Sequence, residues 1–439
     1  MSTMEQVEVG KYQPYPEYKD SGVEWLGLIP KHWALRRAKF IFQRIQRPVR
    51  DIDGIVTAFR DGQVTLRSNR RIDGFTNALQ EIGYQGVRKG DLLIHAMDGF
   101  AGAIGISDSD GKCSPVCSVC TPISKTLAYP AYYGYLIRQL AVTGFITSLS
   151  KGIRERSTEF RFSEFSPLGL ALPPHSEQRT IAAFLDYETA RIDKLIAQQQ
   201  RLIELLKEKR QAVISHAVTK GLNPDAPMKD SGVEWLGEVP EHWGVMKVAY
   251  ALKIDNNLRT PIDRNIRSEK VGDYPYYGPT GILDYIDEFF AKGEYFLLGE
   301  DGDHFLKFSQ KPMTILVNGE FSVNNHAHLL KGYKHCSTAW GALFFETKDL
   351  FPWLIRQGVG RYKLRKESLV TIPMVIPPTD EQKEILKIIN KVKIDINSAI
   401  EKSESFITLL QERRTALISA AVTGKIDLRG WTQPGEVAA

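Results

Sequence analysis

Nine residues of this chain occur twice, letter for letter. Lys19-Asp20-Ser21-Gly22-Val23-Glu24-Trp25-Leu26-Gly27 returns as Lys229-Asp230-Ser231-Gly232-Val233-Glu234-Trp235-Leu236-Gly237. Each copy runs on to a proline and a His-Trp pair: Pro30, His32, Trp33 and Pro240, His242, Trp243. A second matched pair follows, Leu172-Pro173-Pro174 with Glu177-Gln178 and Ile376-Pro377-Pro378 with Glu381-Gln382. Between these blocks the two segments differ almost completely. The spacing is far longer than a solenoid unit, so the pattern is domain duplication. A duplicated frame around two unlike inserts is the layout of a protein that holds two different readers in one geometry.

With 439 residues, the chain is long enough for two or three domains with cores of their own. No signal peptide and no apolar run of membrane-spanning length is evident, so the expected location is the cytoplasm. The formal charge of +5 is mildly basic and hints at a polyanionic partner without deciding it. Cys113, Cys117 and Cys120 lie close together and Cys336 far away. Their spacing lacks the paired C-x2-C of structural zinc even with His95 added, so buried or free thiols are expected.

After each Pro-Pro the sequence turns strongly helical. The prolines block helix upstream, and Ser176 and Asp380 can serve as N-caps. Seam positions, mostly apolar, then recur by fours and threes: Leu185, Glu188, Ile192, Leu195, Gln199, Leu202, Leu206, Lys209, Val213. The second copy has Ile385, Ile389, Val392, Ile396, Ala399, Ser403, Phe406, Leu410, Arg413, Leu417. Such a seam predicts two long helices paired as a coiled coil, antiparallel because the halves are equivalent. The polar breaks match, Gln199 with Ser403 and Lys209 with Arg413, and would fix register. Gly221 and Gly424 can close the helices, and the tail from Gly430 onward is expected to fray.

The first insert reads as short strands bounded by Gly and Asp. Its segment 36–71 carries Arg36, Arg37, Lys39, Arg44, Arg47, Arg50, Arg60, Arg67, Arg70 and Arg71 against Asp51, Asp53 and Asp61. Gln43, Gln46, Gln63, Asn69 and Asn77 are mixed in, the amides that pair with base edges, while arginine serves guanine and phosphate. The insert ends in Lys151-Gly152-Ile153-Arg154-Glu155-Arg156. The second insert has Gly358-Val359-Gly360-Arg361-Tyr362-Lys363-Leu364-Arg365 at the same place. A Gly-rich basic turn, present twice, suits close approach to phosphates. The candidate contacts with nucleic acid are Arg60, Arg67, Asn69, Arg70, Arg71, Lys151, Arg154, Arg156, Tyr276, Tyr277, Asn324, Asn325, Arg361, Lys363 and Arg365.

The rest of the second insert has a different surface. The stretch 273–281 reads as an aromatic loop. Glu300, Asp301 and Asp303 form an acidic run that would repel phosphate. His326 and His328 would share a strand face, as a metal pair might, but without a placed carboxylate or thiol they read as structural.

Catalytic motifs are missing. Leu172 and Ile376 precede the Pro-Pro pairs where an amino-methyltransferase needs Asn or Asp, and His175 and Thr379 follow where it needs an aromatic. No P-loop Gly-Lys-Ser/Thr and no repeated carboxylate cluster stands out. A non-catalytic adaptor is therefore expected. The alternatives are a DNA-modifying enzyme with its own catalytic site and a coiled-coil scaffold with no DNA role.

The repeated blocks, with the Pro-Pro…Glu-Gln openings and long helices, resemble the specificity (S) subunit of type I restriction-modification systems. The second insert resembles one target-recognition domain through Tyr274-Pro275-Tyr276-Tyr277-Gly278 and Asn324-Asn325-His326-Ala327-His328. The first resembles another through Lys89-Gly90-Asp91 and Asp98-Gly99…Gly102-Ala103-Ile104-Gly105. The resemblance implies an α+β chain of two α/β target-recognition domains separated and spaced by two long antiparallel coiled-coil helices, in pseudo-twofold duplicated halves. Expected boundaries are 1–171 for the first domain with its repeated N-terminal segment, 172–221 for the first spacer helix and 222–375 for the second domain. The second helix then covers 376–428 and a flexible tail 429–439. The resemblance further implies double-stranded DNA as ligand, read as a bipartite asymmetric site. It implies two methyltransferase (modification) subunits as partners, restriction subunits in a larger complex, and no cofactor of its own. S-adenosylmethionine belongs to the methyltransferase partner.

Overall fold

The repeated block folds the same way twice because it carries its own turn chemistry. Strand Tyr18–Asp20 pairs with Leu28–Pro30, and Met228–Asp230 with Glu238–Pro240. Between them the Asp20 carboxylate accepts from the Gly22 amide at 2.9 Å and the Ser21 hydroxyl from the Val23 amide at 3.1 Å. Asp230 and Ser231 repeat both bonds at 2.9 and 3.1 Å. Such side-chain turns are what Asp and Ser supply. Leu26, Ile29 and Trp33 go into one core and Leu236, Val239 and Trp243 into another.

The computed structural model describes residues 12–70, 81–149, 159–302, 304–307, 313–346, 348–358 and 361–434. The chain forms two compact units, Met1–Ala197 with Phe406–Ala439, and Gln198–Ser405. Each unit therefore takes part of each long helix, His175–Lys220 and Thr379–Val422. Among the described residues no helix is long and apolar enough to cross a membrane.

In the first unit, a four-stranded antiparallel sheet runs in the order Phe42–Arg44, Cys117–Pro122, Leu92–His95, Ile104–Ile106. The helix Pro130–Val142 packs on it through Tyr132, Tyr133 and Leu136. The second unit builds the same order from Leu252–Ile254, Ala327–Gly332, Tyr295–Gly299 and Thr314–Val317, with helix Thr338–Glu346 against it. A further sheet there joins Gly281–Ile286, Val271–Gly278, Glu320–Val323 and Ala291–Lys292. The stretch 273–281, read as a loop, is thus strand up to Gly278. Inserts that share almost no sequence share a sheet.

Both ends of each insert leave the frame side by side. Ala34–Arg37 pairs with Gly169–Leu172 in the first unit, and Gly244–Lys247 with Pro373–Ile376 in the second. The Glu-Gln pair then locks each frame. Glu177 accepts from His32 Nε2 at 2.7 Å, Trp33 Nε1 at 2.9 Å and the Tyr15 hydroxyl at 3.1 Å. The Gln178 amide, fully buried, donates to Leu127 O and Pro173 O and accepts from the Tyr129 amide. Glu381 and Gln382 do the same work for His242, Trp243, His335, Pro377 and Ser337.

Inside each unit the two helices run antiparallel. In the first, Ile181, Phe184 and Leu185 share a core with Ile418, Ala421 and Val422, while Arg414 Nε donates to Asp193 at 3.0 Å. In the second, Ile214, Ala217 and Val218 share a core with Ile385 and Ile389, while Arg210 donates to Asn397 at 2.8 Å.

Four expectations about the helices need correction. Beyond Gln199 and Ser403 most of the buried seam moves one residue onward: Ile203, Ile214 and Ile418 are buried, but Leu202 and Phe406 are each 42% exposed, while Leu410 is buried where expected. A strict 3.5-residue repeat falls short of a helix of 3.6 residues per turn, and the lag accumulates to about one residue over five heptads. For the same reason Lys209 and Arg413 face solvent, and their neighbours Arg210 and Arg414 make the cross-helix bonds. Ser176 and Asp380 lie inside the helices, which start one residue earlier, with Pro174 O and Pro378 O accepting the first helical bonds. The tail also continues past Gly430 in order: Trp431 packs edge-on against Phe184 at 5.5 Å. The capping glycines are as expected, Gly221 and Gly424 having φ of 77° and 75°. A Cβ on Gly424 would lie 2.5 Å from Pro30 and 2.9 Å from Trp33.

Candidate nucleic-acid interface

In the first unit the hairpin of Val56–Ala58 and Val64–Leu66, continued by the turn Arg67–Asn69, gathers Arg60, Arg67, Asn69 and Arg70. Arg60 donates to Asp98 at 2.7 Å, and Arg70 pairs with Asp61 at 2.7 Å while lying 4.2 Å from the Phe59 ring centroid. Arg67 Nε donates to the Thr57 hydroxyl at 2.9 Å and the Asn69 amide to the Thr65 hydroxyl at 3.0 Å. Arg71, Lys151, Arg154 and Arg156 lie outside the described residues, so half of the proposed pair of basic turns does too.

The one-signed charge excess of 36–71 is smaller in space than in sequence. Acids from elsewhere in the insert close on it: Asp91 on Arg47 and Asp110 on Arg50. Burial raises the Asp53 carboxyl, but hydrogen bonds from Arg50 and the Arg88 charge outweigh it and hold the group below its usual range. By contrast Arg60 is 69% exposed, and a surface ion pair of that kind contributes only about 0–1 kcal/mol. Such a guanidinium can exchange its carboxylate for a phosphate at little cost.

In the second unit the candidates divide. Tyr276 is a core residue: its ring is fully buried, and its hydroxyl donates to Thr260 O and accepts from the Ile262 amide. It shapes the strand and offers no surface to a duplex. Asn324 is 8% exposed, its Oδ1 accepting from the His326 amide, so it too builds the turn. Tyr277 is half-buried edge-on to Phe321. Asn325 and Arg365 are exposed. Lys363 belongs to the strand Arg361–Lys363 and bonds Glu300 at 3.0 Å; the Arg361 side chain lies outside the described residues.

The acidic run is not a repelling surface. Glu300 is enclosed by Arg259 and Lys363, whose hydrogen bonds outweigh burial and keep its carboxyl below the usual range. Asp301 accepts from His326 Nδ1 at 2.9 Å. Asp303 lies outside the described residues. His328 is buried, donating from Nε2 to Leu364 O at 2.7 Å and accepting at Nδ1 from Asn256 at 2.9 Å. These bonds select the neutral ring, and burial lowers its pKa. The two histidines serve separate partners. All four cysteines are free and buried, and burial pushes the Cys120 and Cys336 thiols up to about 12.

What sequence reading missed is the strand Ile355–Gly358, just before the Gly-rich turn, which is exposed along its whole length and carries Arg356 and Gln357. Only its neighbourhood to that turn pointed to it.

Residues 240–404 match the family model for the type I restriction modification DNA specificity domain. A putative type I restriction enzyme specificity subunit of Haemophilus influenzae is 34% identical over 137 residues, 31% of this chain and 34% of that protein. The chain thus spans about a third of that relative's length. The putative MjaX specificity subunit of Methanocaldococcus jannaschii is 27% identical over 326 residues, 70% of each protein. In fold, a chain from a type I R-M system structure superposes with a TM-score of 0.70 at 13% identity, covering 91% of this chain and 99% of that one. The HsdS subunit of Thermoanaerobacter tengcongensis gives 0.53 at 15% identity, covering 91% and 98%. The likeness to type I specificity subunits is thus carried by residues 240–404 and the named relatives, and the likeness in fold extends over 91% of the chain.

Proposed function

We propose that this chain is the DNA-reading specificity subunit of a type I restriction-modification complex. Each unit carries one target-recognition domain, and each domain reads one half of a split, asymmetric site. The long helices hold two methyltransferase subunits, and restriction subunits join the larger assembly. The chain supplies sequence selection and no catalysis of its own, so S-adenosylmethionine binds the methyltransferase partner. The observation that carries this reading is the duplicated lock, Trp33 on Glu177 and Trp243 on Glu381, holding two unlike inserts, the second within a segment that matches a DNA specificity domain.

The contacts this reading favours are the exposed Arg60, Asn69 and Arg70 with the half-buried Arg67 on the first hairpin, and the exposed Asn325 and Arg365 with the half-buried Lys363 in the second unit. Arg71, Lys151, Arg154, Arg156 and Arg361 stay in the proposal on sequence alone. Tyr277 borders the interface, and Tyr276 and Asn324 support it from within. The test is to express the chain with methyltransferase subunits of its own system and sequence the methylated adenines of the host. A split motif supports the reading. No sequence-dependent methylation, with the complex assembled, contradicts it.

A further inference from the structure

In the second unit, Ile355–Gly358 is the one described strand exposed at every position. It pairs antiparallel with Arg361–Lys363, Ile355 opposite Lys363, Arg356 opposite Tyr362 and Gly358 opposite Arg361, with a register shift that takes up Gln357 and breaks the strand's alternation of faces there. The root of this ribbon is fixed. Lys363 pairs with Asp301 in backbone register and with Glu300 by its ammonium, the Leu364 amide donates to Glu300 O at 2.7 Å, and the Leu364 side chain is fully buried. Tyr362 rests on Phe351, ring centroids 5.5 Å apart. The outer strand has no such packing.

Its two polar side chains are held back by almost nothing. Arg356 Nε donates to Gly358 O at 3.2 Å, and no carboxylate among the described residues lies within ion-pair distance of it. Arg259, Arg267 and Lys363 in the same unit are all paired with acids. The Gln357 amide is exposed and makes no hydrogen bond to described residues. Ile355–Gly358 and Arg361–Lys363 are two strands of a three-stranded sheet whose third, Asp301–Gly302, is two residues long. A β-ribbon is one of the elements the major groove admits, arginine matches the guanine edge and glutamine the adenine edge.

We infer that Arg356 and Gln357 are the base-reading pair of the second unit, presented to the major groove by the strand Ile355–Gly358 on its partner Arg361–Lys363. Arg356 gives up the Gly358 carbonyl for a guanine edge; Gln357 takes a neighbouring adenine. The inference rests on the proposed function and adds to it the residues that set one half of the motif.

The experiment uses the full chain with its methyltransferase subunits, comparing host methylation motifs for wild type, Arg356→Ala, Arg356→Lys and Gln357→Ala. Both side chains are exposed, so thermal unfolding should be unchanged, which each purified variant verifies. Arg356→Ala and Gln357→Ala should each relax one base position in one half, roughly 5- to 150-fold in discrimination, and leave the other half intact. Arg356→Lys should retain part of the guanine preference. An unchanged motif, or uniform weakening on all sequences with a lower salt slope, overturns base reading by that residue. Absence of any split motif with the wild-type chain overturns the parent reading instead.

Discussion

The indole of Trp33 donates to the Glu177 carboxylate at 2.9 Å, and Trp243 stands to Glu381 in the same relation at 3.0 Å. The donors follow the repeated block and the acceptors follow the Pro-Pro pairs, so this bond joins the two motifs that first revealed the duplication. Glu177 is the more enclosed, its side chain 10% exposed against 27% for Glu381. Glu177→Ala leaves the buried Trp33 and Tyr15 donors without an acceptor, at about 1–3 kcal/mol each. Thermal unfolding should show a larger loss for Glu177→Ala than for Glu381→Ala. Equal, negligible losses would mean that the frame is held by apolar packing alone.

The same logic applies to the helix ends. Gly424 combines a φ of 75° with Pro30 and Trp33 against its α-carbon. A backbone conformation of that kind costs a side chain on the order of 1–3 kcal/mol before any clash. Gly221 has the same φ sign, but Trp243 stands farther off, 3.2 Å from a Cβ placed there. Gly424→Ala should therefore destabilise more than Gly221→Ala, as measured by urea unfolding of the full chain.

Acid should weaken the second unit through His328. Burial lowers its pKa, so the unfolded chain takes up the proton first as pH falls through about 6.5. The folded state binds fewer protons there, and stability falls with decreasing pH below that point. Local hydrogen exchange around 327–332 should speed up between about pH 6.5 and 5. His328→Gln should flatten that dependence. A wild-type profile that is already flat would contradict the buried neutral ring.

Tyr276 separates support from contact. Tyr276→Phe removes the hydroxyl held between Thr260 O and the Ile262 amide and should cost about 1 kcal/mol of stability. Because the ring is buried, the methylation motif should not change. A changed base preference in a stably folded Tyr276→Phe would return this residue to the interface.

The frame was legible because duplication exposes it: two matched motifs had to meet, and Glu177 with Trp33 is where they do. The helices were legible in extent but slipped by one position beyond Gln199, since heptad counting cannot follow a repeat of 3.6. The shared sheet was hidden, its strands Phe42–Arg44 and Leu252–Ile254 being three residues each, too short for periodicity to register. The charge of 36–71 was overcounted because Asp91, Asp98 and Asp110 reach it only through the fold. Asn324 and Tyr276 misled for a related reason: amides and aromatics build turns as readily as they contact bases.

Exchange of one insert tests the central claim most directly. Both ends of the first insert sit in one antiparallel pair, Leu35 opposite Ala171, so on the proposed function an insert from a type I specificity subunit can replace 36–171 without moving the frame. The measurement is the methylation motif of a host carrying the exchanged chain with the methyltransferase subunits the proposed function assigns to it. The account predicts that one half of the split motif changes while the other half and the spacer stay as they were. A motif that stays wholly unchanged, or one that changes in both halves, would contradict two independent readers in one frame.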